Sequence, residues 1–373
     1  MAVFRFEQIA INSTEKKKPT EADRMTYLGL EHLDSGCLRV SRFGSEVAPI
    51  GEKLVMRKGD VLFGKRRAYQ KKVAIAPFDG IFSAHGMVLR PNEAVIDKDF
   101  FPLFISSNYF LDAAIAISVG SLSPTINWRD LKELEFNLPP LEEQKRLAEV
   151  LWAAENTLEK YKNLVKSTDE LVKSQFIEMF GNPVTNSSNW VTEKMKKVAP
   201  STSFNGKVEE VDGKFWLLNL DMVESSSGKI LDKIYVPKKE IGTSTTTFSP
   251  EYVLFSKLRP YLNKVAIPDS TGFATTELIP LKPNPGKLNQ VFLTMLLRGD
   301  EFLSYISTHV SGTKMPRVTM DIFWDFDVIL PPIELQEEFA EFVQQSDKSK
   351  FELEQSLAEL TATYKRIISE NLG

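Results

Sequence analysis

The chain nearly repeats itself after 192 residues. Residues 61–75 read VLFGKRRAYQKKVAI and residues 253–267 read VLFSKLRPYLNKVAI, with ten of the fifteen positions identical. The same offset aligns Ser35-Gly36 with Ser227-Gly228, Pro124 with Pro316, and residues 138–149 (LPPLEEQKRLAE) with 330–341 (LPPIELQEEFAE). Near the N-terminus the register slips, so that Ile9-Ala10 matches Val198-Ala199. A repeat of this length has the size of a whole domain, so the sequence predicts a duplicated module with two similar sites.

Each copy begins with a stretch of mixed character. Residues 1–139 and 183–331 contain short apolar runs broken by Gly, Pro, Asn and Asp, a pattern typical of short β-strands joined by turns. Within them, residues 99–116 and 289–306 have apolar side chains at the three- and four-residue spacing of helices. The sequence therefore predicts two similar α+β domains.

Each copy ends in a stretch with an apolar heptad pattern. The first pattern runs from Leu147 to Met179 and the second from Phe339 to Ile367, each after a Pro-Pro pair. Each helix of roughly 40 residues would be about 60 Å long. We predict a globular domain at 1–139, a helix at 140–182, a second globular domain at 183–331 and a second helix at 332–373.

Long helices with one apolar stripe need a partner for that stripe. The two stripes can cover each other in an antiparallel coiled coil, which would place one globular domain at each end with approximate two-fold symmetry. Thr168, Ser346 and Lys350 interrupt the apolar pattern. They would help fix the register, although a loosened or bent stretch explains them equally well.

Composition places the chain among soluble globular proteins. It is 42% apolar and 26% charged, and it has neither a long apolar run nor a signal-like N-terminus. The single cysteine, Cys37, excludes an intrachain disulfide and is expected to be a small core or loop residue. We therefore expect a cytoplasmic protein with no membrane partner.

The charges are unevenly distributed. The net charge is −4, but residues 141–180 carry −2 and residues 333–373 carry −5, which leaves +3 on the rest of the chain. Six basic residues and one acidic residue fall within 58–72. Local basic density, rather than the net charge, is what attracts a phosphate backbone.

The two LPP-(L/I)-E-x-Q helix starts, the long helices and the duplicated domains closely resemble the specificity subunit of type I restriction–modification systems, over the full chain. The resemblance implies that each of the two target-recognition domains reads one half of a bipartite double-stranded DNA site, while the helices set the spacer. It also implies a non-catalytic subunit that needs no cofactor itself. Two methyltransferase subunits that use S-adenosylmethionine and restriction subunits that use ATP and Mg²⁺ would be its partners in DNA methylation and defence against foreign DNA.

Basic and tyrosine residues shared by both copies are candidates for contact with phosphate and sugar, which every DNA sequence presents. They lie between two apolar strands, in a predicted exposed loop, although an ordinary solvated turn with tyrosines packed on the sheet also explains them. They are Lys65, Arg67, Tyr69 and Lys72 in the first copy, and Lys257, Arg259, Tyr261 and Lys264 in the second.

Residues that differ between the copies are candidates for reading base edges, since the two halves of the site would differ. Arg66 aligns with Leu258 and His85 with Glu277, while Ser121 and Thr125 align with Thr313 and Arg317, beside Lys314. Neutral drift of surface residues explains the same differences, and His85 could equally be a buried, hydrogen-bonded histidine.

Motifs for catalysis are missing from the sequence. Residues 137–141 (NLPPL) have the wrong neighbours for an adenine methyltransferase loop, and no phosphate-binding loop is present. The three histidines and one cysteine are too scattered to suggest a metal site.

A two-lobed coiled-coil scaffold that binds proteins is the main alternative function, and a stand-alone enzyme is the other. The acidic residues of the helix starts are either docking surfaces or a solvated exterior; they are Glu142, Glu143, Glu149, Glu334, Glu337 and Glu338.

Overall fold

A computed structural model describes residues 2–312 and 314–372, although not the side chain of residue 372. The chain forms two compact units. Unit 1 comprises Met1–Lys162 and Gln355–Gly373, and unit 2 comprises Asn163–Glu354. Each unit contains one globular part and a portion of both long helices.

The globular part of unit 1 is a mixture of short strands and short helices. In chain order its elements are β1 (Ala2–Arg5), α1 (Phe6–Ile9), β2 (Ala10–Ser13), β3 (Lys16–Lys17), β4 (Tyr27–Leu28), β5 (Lys53–Met56), β6 (Val61–Phe63), β7 (Val73–Ile75), β8 (Gly80–Phe82), β9 (Met87–Pro91), α2 (Phe100–Ser106), α3 (Asn108–Ala116), α4 (Trp128–Leu131) and β10 (Glu135–Leu138). The long helix α5 (Leu141–Phe180) follows.

Two four-stranded sheets organise unit 1. The first has the order β2-β9-β6-β7 with every neighbouring pair antiparallel, and the second has the order β3-β5-β8-β4 with a parallel pair at β4 and β8. A separate antiparallel pair joins β1 to β10. The core is rich in phenylalanine, with Phe6, Phe110 and Phe136 fully buried and their ring centroids 5.0–6.0 Å apart.

The globular part of unit 2 follows the same plan. In chain order its elements are β11 (Thr192–Lys194), α6 (Met195–Val198), β12 (Lys214–Leu218), β13 (Ile234–Pro237), β14 (Thr245–Phe248), β15 (Val253–Ser256), β16 (Val265–Ala266), β17 (Gly272–Thr275), β18 (Leu278–Leu281), α7 (Gln290–Arg298), α8 (Asp300–Ser307), β19 (Val310–Ser311), β20 (Arg317–Val318), α9 (Met320–Asp325) and β21 (Asp327–Ile329). The second long helix, α10 (Ile333–Leu372), completes the chain.

The sheets of unit 2 repeat three neighbouring strands of each four-stranded sheet of unit 1. The order β16-β15-β18 corresponds to β7-β6-β9, and β12-β17-β14 corresponds to β4-β8-β5, again with one parallel pair. The pair β11–β21 corresponds to β1–β10. The slipped register near the N-terminus is real, because α1 starts at Phe6 and its counterpart α6 at Met195. The predicted α+β fold, with two similar globular domains and two long helices, is confirmed.

A buried glutamine ties each long helix to the globular part that precedes it. Gln144 donates from Nε2 to Pro139 O and accepts from Asp97 N, both at 2.8 Å. Gln336 donates to Pro331 O at 2.8 Å and accepts from Asn289 N at 2.9 Å. Because a buried amide must have its hydrogen bonds satisfied, the glutamine of the repeated L-P-P-(L/I)-E-x-Q motif fixes the start of the helix against its domain.

The long helices pack against each other inside each unit. In unit 2 the ring of Phe180 lies 5.4 Å from that of Phe339, and Asp169 pairs with Lys350. A residue earlier in α5 therefore contacts a residue later in α10, so the two helices are antiparallel. In unit 1, Leu147 and Trp152 of α5 share an apolar cluster with Tyr364, Ile367 and Ile368 of α10.

The apolar seam departs from a strict heptad near the end of α5. Phe176 and Phe180 are buried, whereas the heptad positions Gln175 and Met179 are only partly buried. The two phenylalanines pack on Phe292 of α7, at ring distances of 5.3 and 4.8 Å. The final turns of α5 therefore face the core of unit 2 as well as the other helix. No described helix is long and apolar enough to cross a membrane.

Candidate nucleic-acid interface

A loop of unusual backbone geometry carries the shared basic residues in each unit. This basic loop, residues 64–72 in unit 1 and 257–264 in unit 2, lies between β6 and β7 or between β15 and β16. Arg67 has φ 56° and Arg259 has φ 48°, both in the left-handed region that non-glycine residues rarely adopt. A short 3₁₀ turn follows, and a second left-handed residue, Lys71 or Asn263, ends it. The prediction of a loop between two strands is confirmed.

The basic loop is held by a second loop, the hairpin loop, which comprises residues 119–125 in unit 1 and residues 310–312 and 314–318 in unit 2. Arg67 N donates to Pro124 O at 2.8 Å, and Arg259 N donates to Pro316 O at 2.7 Å. The same backbone bond therefore joins the two loops at equivalent positions in both units. Holding a left-handed arginine costs about 1–2 kcal/mol, so the same strained conformation in both units marks the loop as a candidate site.

The residues that differ between the copies converge on the basic loop. In unit 1, Arg66 N donates to His85 O at 3.2 Å, and Arg66 also forms a β-bridge with Thr125. Nη1 of Arg66 lies 3.3 Å from Nε2 of His85. Three positions that are far apart in the sequence therefore form one cluster, which we call the variable cluster.

The variable cluster of unit 2 is built from the equivalent positions. Lys257 N donates to Glu277 O at 3.0 Å, and Leu258 forms a β-bridge with Arg317. Nη2 of Arg317 donates to Oε1 of Glu277 at 3.0 Å, and this contact raises the pKa of Arg317. The guanidinium therefore comes from the hairpin loop in unit 2 and from the basic loop in unit 1. Lys314 and Ser121 are exposed, while Thr313 lies outside the described residues.

Electrostatics identifies two further lysines near the unit 1 site. His85 is exposed, not the buried histidine that was the alternative. Partial desolvation, followed by the charges of Arg66, Lys65 and Lys53, lowers the pKa of His85, so its imidazole is neutral at neutral pH. Burial and then Lys16 lower the pKa of Lys65. Lys16 and Lys53 lie on β3 and β5, which pair with each other. Sequence reasoning missed both, although the run Lys16-Lys17-Lys18 was a visible signal.

Two of the shared lysines have bonds inside the protein. Lys72 Nζ donates to Leu30 O at 2.6 Å, and Lys264 Nζ donates to Leu220 O at 2.9 Å. This common internal bond explains why lysine stands at both positions, and contact of either side chain with DNA stays a prediction. The tyrosines are different, because Tyr69 and Tyr261 are each 56% exposed and do not pack into the sheet.

The end of the basic loop is supported differently in each unit. In unit 2, Arg298 donates to Val265 O from Nε at 2.9 Å and from Nη2 at 2.6 Å, and its own carbonyl accepts from Asn263 Nδ2. Burial lowers the pKa of Arg298 to about 10, so it stays charged at neutral pH. In unit 1, Lys71 instead donates to Asn108 and Asp112 of α3, at 2.8 and 2.7 Å.

Comparisons with known proteins point to one family. The family model of the type I restriction modification DNA specificity domain matches residues 15–167 and again 166–362. A segment of 214 residues, 56% of this chain, is 28% identical to the type I restriction enzyme EcoDI specificity subunit of Escherichia coli. That match spans 47% of the length of the Escherichia coli protein, so it covers about half of this curated relative.

Solved structures share the fold of the whole chain. The S subunit of a type I restriction–modification system from M. genitalium is 14% identical, with a TM-score of 0.58 over 100% of this chain and 96% of that one. A chain from a structure that addresses complex assembly and conformational transition of the type I R-M system is 19% identical, also with a TM-score of 0.58, over 100% of this chain and 97% of that one. At such identities the likeness shows the fold alone.

Proposed function

This chain belongs to the type I restriction modification DNA specificity family, and we propose that it selects the DNA sequence on which a type I restriction–modification complex acts. One observation carries the proposal. Both units build the same strained basic loop, and each surrounds it with different side chains at three clustered positions. A duplicated site with a constant part and a variable part suits a bipartite DNA sequence.

The constant part of each site suits the DNA backbone. Arg67 and Arg259 share one backbone conformation, and Tyr69 and Tyr261 are equally exposed. Phosphate and sugar are the same in every sequence, so residues common to both units are expected to contact them. Lys65 and Lys257 at the start of the loops add positive charge.

The proposed partners supply the chemistry. We expect two methyltransferase subunits with S-adenosylmethionine, and restriction subunits with ATP and Mg²⁺, to act in the cytoplasm on the DNA that this non-catalytic chain selects. The acidic side chains at both helix starts are exposed and available for docking; they are Glu142, Glu143, Glu149, Glu334, Glu337 and Glu338.

Exchange of one domain tests the proposal. The chain is produced together with the methyltransferase of its own system, and N6-methyladenine is mapped across the host genome. A bipartite methylated sequence is expected, and replacing residues 1–139 by the equivalent domain of a relative should change only one half of it. A change in both halves would contradict independent reading by the two domains.

Salt dependence separates DNA recognition from a protein scaffold. DNA binding that relies on phosphate contacts weakens steeply as salt rises. If the complex bound no DNA and deposited no sequence-specific methylation at low salt, the scaffold would be the better explanation. Adding or deleting whole turns of α5 should also change the spacer between the two halves of the methylated sequence.

A further inference from the structure

In unit 2, Arg317 and Glu277 form a partly exposed ion pair. The Arg317 side chain is 48% exposed and that of Glu277 is 26% exposed, with one hydrogen bond of 3.0 Å between them. The pair stands beside the basic loop, because Leu258 of that loop forms a bridge with Arg317. Arg317 is therefore a partly exposed cation next to the basic loop.

The chemistry favours a base over a phosphate. Guanine presents two acceptors, O6 and N7, that match the two-pronged guanidinium, whereas the amino group of cytosine matches a carboxylate acceptor. Oε2 of Glu277 is buried and has no hydrogen-bond partner among the described residues. A carboxylate next to the arginine would repel a phosphate. Because Oε1 holds the guanidinium and Oε2 is buried, the carboxylate can instead orient Arg317 toward the two acceptors of a guanine.

The contrast with unit 1 supports the same conclusion. There Thr125 occupies the position of Arg317 and His85 that of Glu277, so the cluster contains no carboxylate. Its cation, Arg66, comes from the basic loop and contacts His85 at 3.3 Å. The constant arginines Arg67 and Arg259 are already present in both units for the backbone, which leaves the variable positions to distinguish bases.

We propose that residues 66, 85 and 125 in unit 1 and residues 258, 277 and 317 in unit 2 are the base-reading positions, and that Arg317, held by Glu277, selects a guanine. This inference rests on the proposed function. It assigns a base class to one position in the half-site of unit 2. Because Glu277 limits the rotamers of Arg317, less conformational entropy is lost when the guanidinium meets the base.

The test uses the full chain with its methyltransferase and maps the methylated sequence of each variant. Arg317→Gln should relax the requirement for one guanine, with roughly a 5- to 150-fold loss of discrimination there, and leave the other half-site unchanged. Glu277→Gln keeps an acceptor for Arg317 and should have a smaller effect at the same base pair. Arg259→Gly is the matched control, because loss of a backbone contact should weaken methylation of all sequences alike.

If Arg317→Gln fails to fold, a second variant tests the same inference by transferring the three variable residues of unit 1 into unit 2; we call it the graft. The triple variant Leu258→Arg, Glu277→His and Arg317→Thr installs the residues of unit 1, and the base preference at that one position should change. An unaltered methylated sequence in a folded Arg317→Gln variant or in the graft, or a half-site of unit 2 without any G·C pair, would overturn the inference. A wild-type complex with no sequence-specific methylation would instead overturn the proposed function.

Discussion

Lys350 Nζ lies 2.7 and 2.8 Å from the two carboxylate oxygens of Asp169, and so joins the two long helices within unit 2. The Lys350 side chain is only 20% exposed, whereas that of Asp169 is 57% exposed. Lys350 occupies a heptad position that would otherwise be apolar, and Ser346 one turn earlier is also buried. A polar residue in an apolar seam with a partner on the opposite helix favours one register over its neighbours.

Replacing Lys350 by Met should lower the free energy of unfolding of unit 2 by about 1 kcal/mol, since an apolar side chain fits the seam but leaves Asp169 without its cation. Urea denaturation of the purified chain measures the change. Lys348→Met is the control, because Lys348 is exposed on the same helix and should have little effect. Equal losses in both variants would show that the helix pair does not depend on the ion pair.

Replacing Glu155 by Gln should stabilise unit 1 at neutral pH. Burial raises the pKa of Glu155, an effect that Arg39 only partly offsets, and its Oε2 atom is buried without a partner among the described residues. Because the pKa of this carboxyl is higher in the folded state than in the unfolded state, its contribution to stability is fully present below the unfolded-state pKa. That contribution is lost as the pH rises through the folded-state pKa. Glu155→Gln should therefore be more stable than the wild type at pH 7, and this difference should disappear as the pH falls toward 4.

Thermal or urea unfolding at several pH values measures the Glu155 effect. The control is Glu149→Gln on the same helix, where the carboxylate is exposed. A stability difference between Glu155→Gln and the wild type that stays constant from pH 4 to pH 7 would exclude the buried carboxyl as its cause.

Replacing Arg67 or Arg259 by glycine should distinguish two properties of the basic loop: the effect of its positive charge on DNA binding and the effect of its backbone strain on stability. Glycine adopts the left-handed conformation without steric cost, whereas alanine keeps the strain, so Arg259→Gly should be about 1 kcal/mol more stable than Arg259→Ala. Both variants should bind DNA more weakly, with a slope of log affinity against log salt that is smaller by about 1. Unfolding and DNA-binding titrations measure the two effects, and wild-type affinity in the glycine variants would remove these arginines from the interface.

Alanine at two equivalent glycines should have very different costs. Gly36 and Gly228 have φ values of +71° and +65°, but a Cβ at Gly36 would meet nothing within 4 Å, whereas at Gly228 it would lie 1.8 Å from Val265 O and 2.1 Å from Arg298 Nη2. Gly36→Ala should cost about 1 kcal/mol from backbone strain alone. Gly228→Ala should cost roughly 2–4 kcal/mol, because the added clash displaces the support of the basic loop.

Calorimetry and limited trypsin digestion compare the two glycine variants. Displacement of Arg298 should make the unit 2 basic loop easier to cleave after Lys257 in Gly228→Ala, but not in Gly36→Ala. Similar melting and similar digestion of the two variants would show that Arg298 and Val265 can move away at little cost.

Features that depend on neighbours along the chain were determined by the sequence. The repeated stretches 61–75 and 253–267 predicted two similar α+β units, and the Pro-Pro pairs and heptads predicted the long helices, because turn chemistry and amphipathic periodicity are local properties. The spacing of apolar residues also located the helices within 99–116 and 289–306, although each divides in two, at Ser107 and at Gly299.

Contacts between distant segments were decided only by the tertiary structure. Arg66, His85 and Thr125 are separated by 19 and 40 residues, and the pairing of strands and loops brings them together. Phe176 and Phe180 are buried in place of heptad positions because α5 meets a second surface there. Lys72 and Lys264 face backbone carbonyls that no sequence pattern could have indicated. A side chain's partner depends on which segments fold beside it, and a linear periodicity carries no information about that.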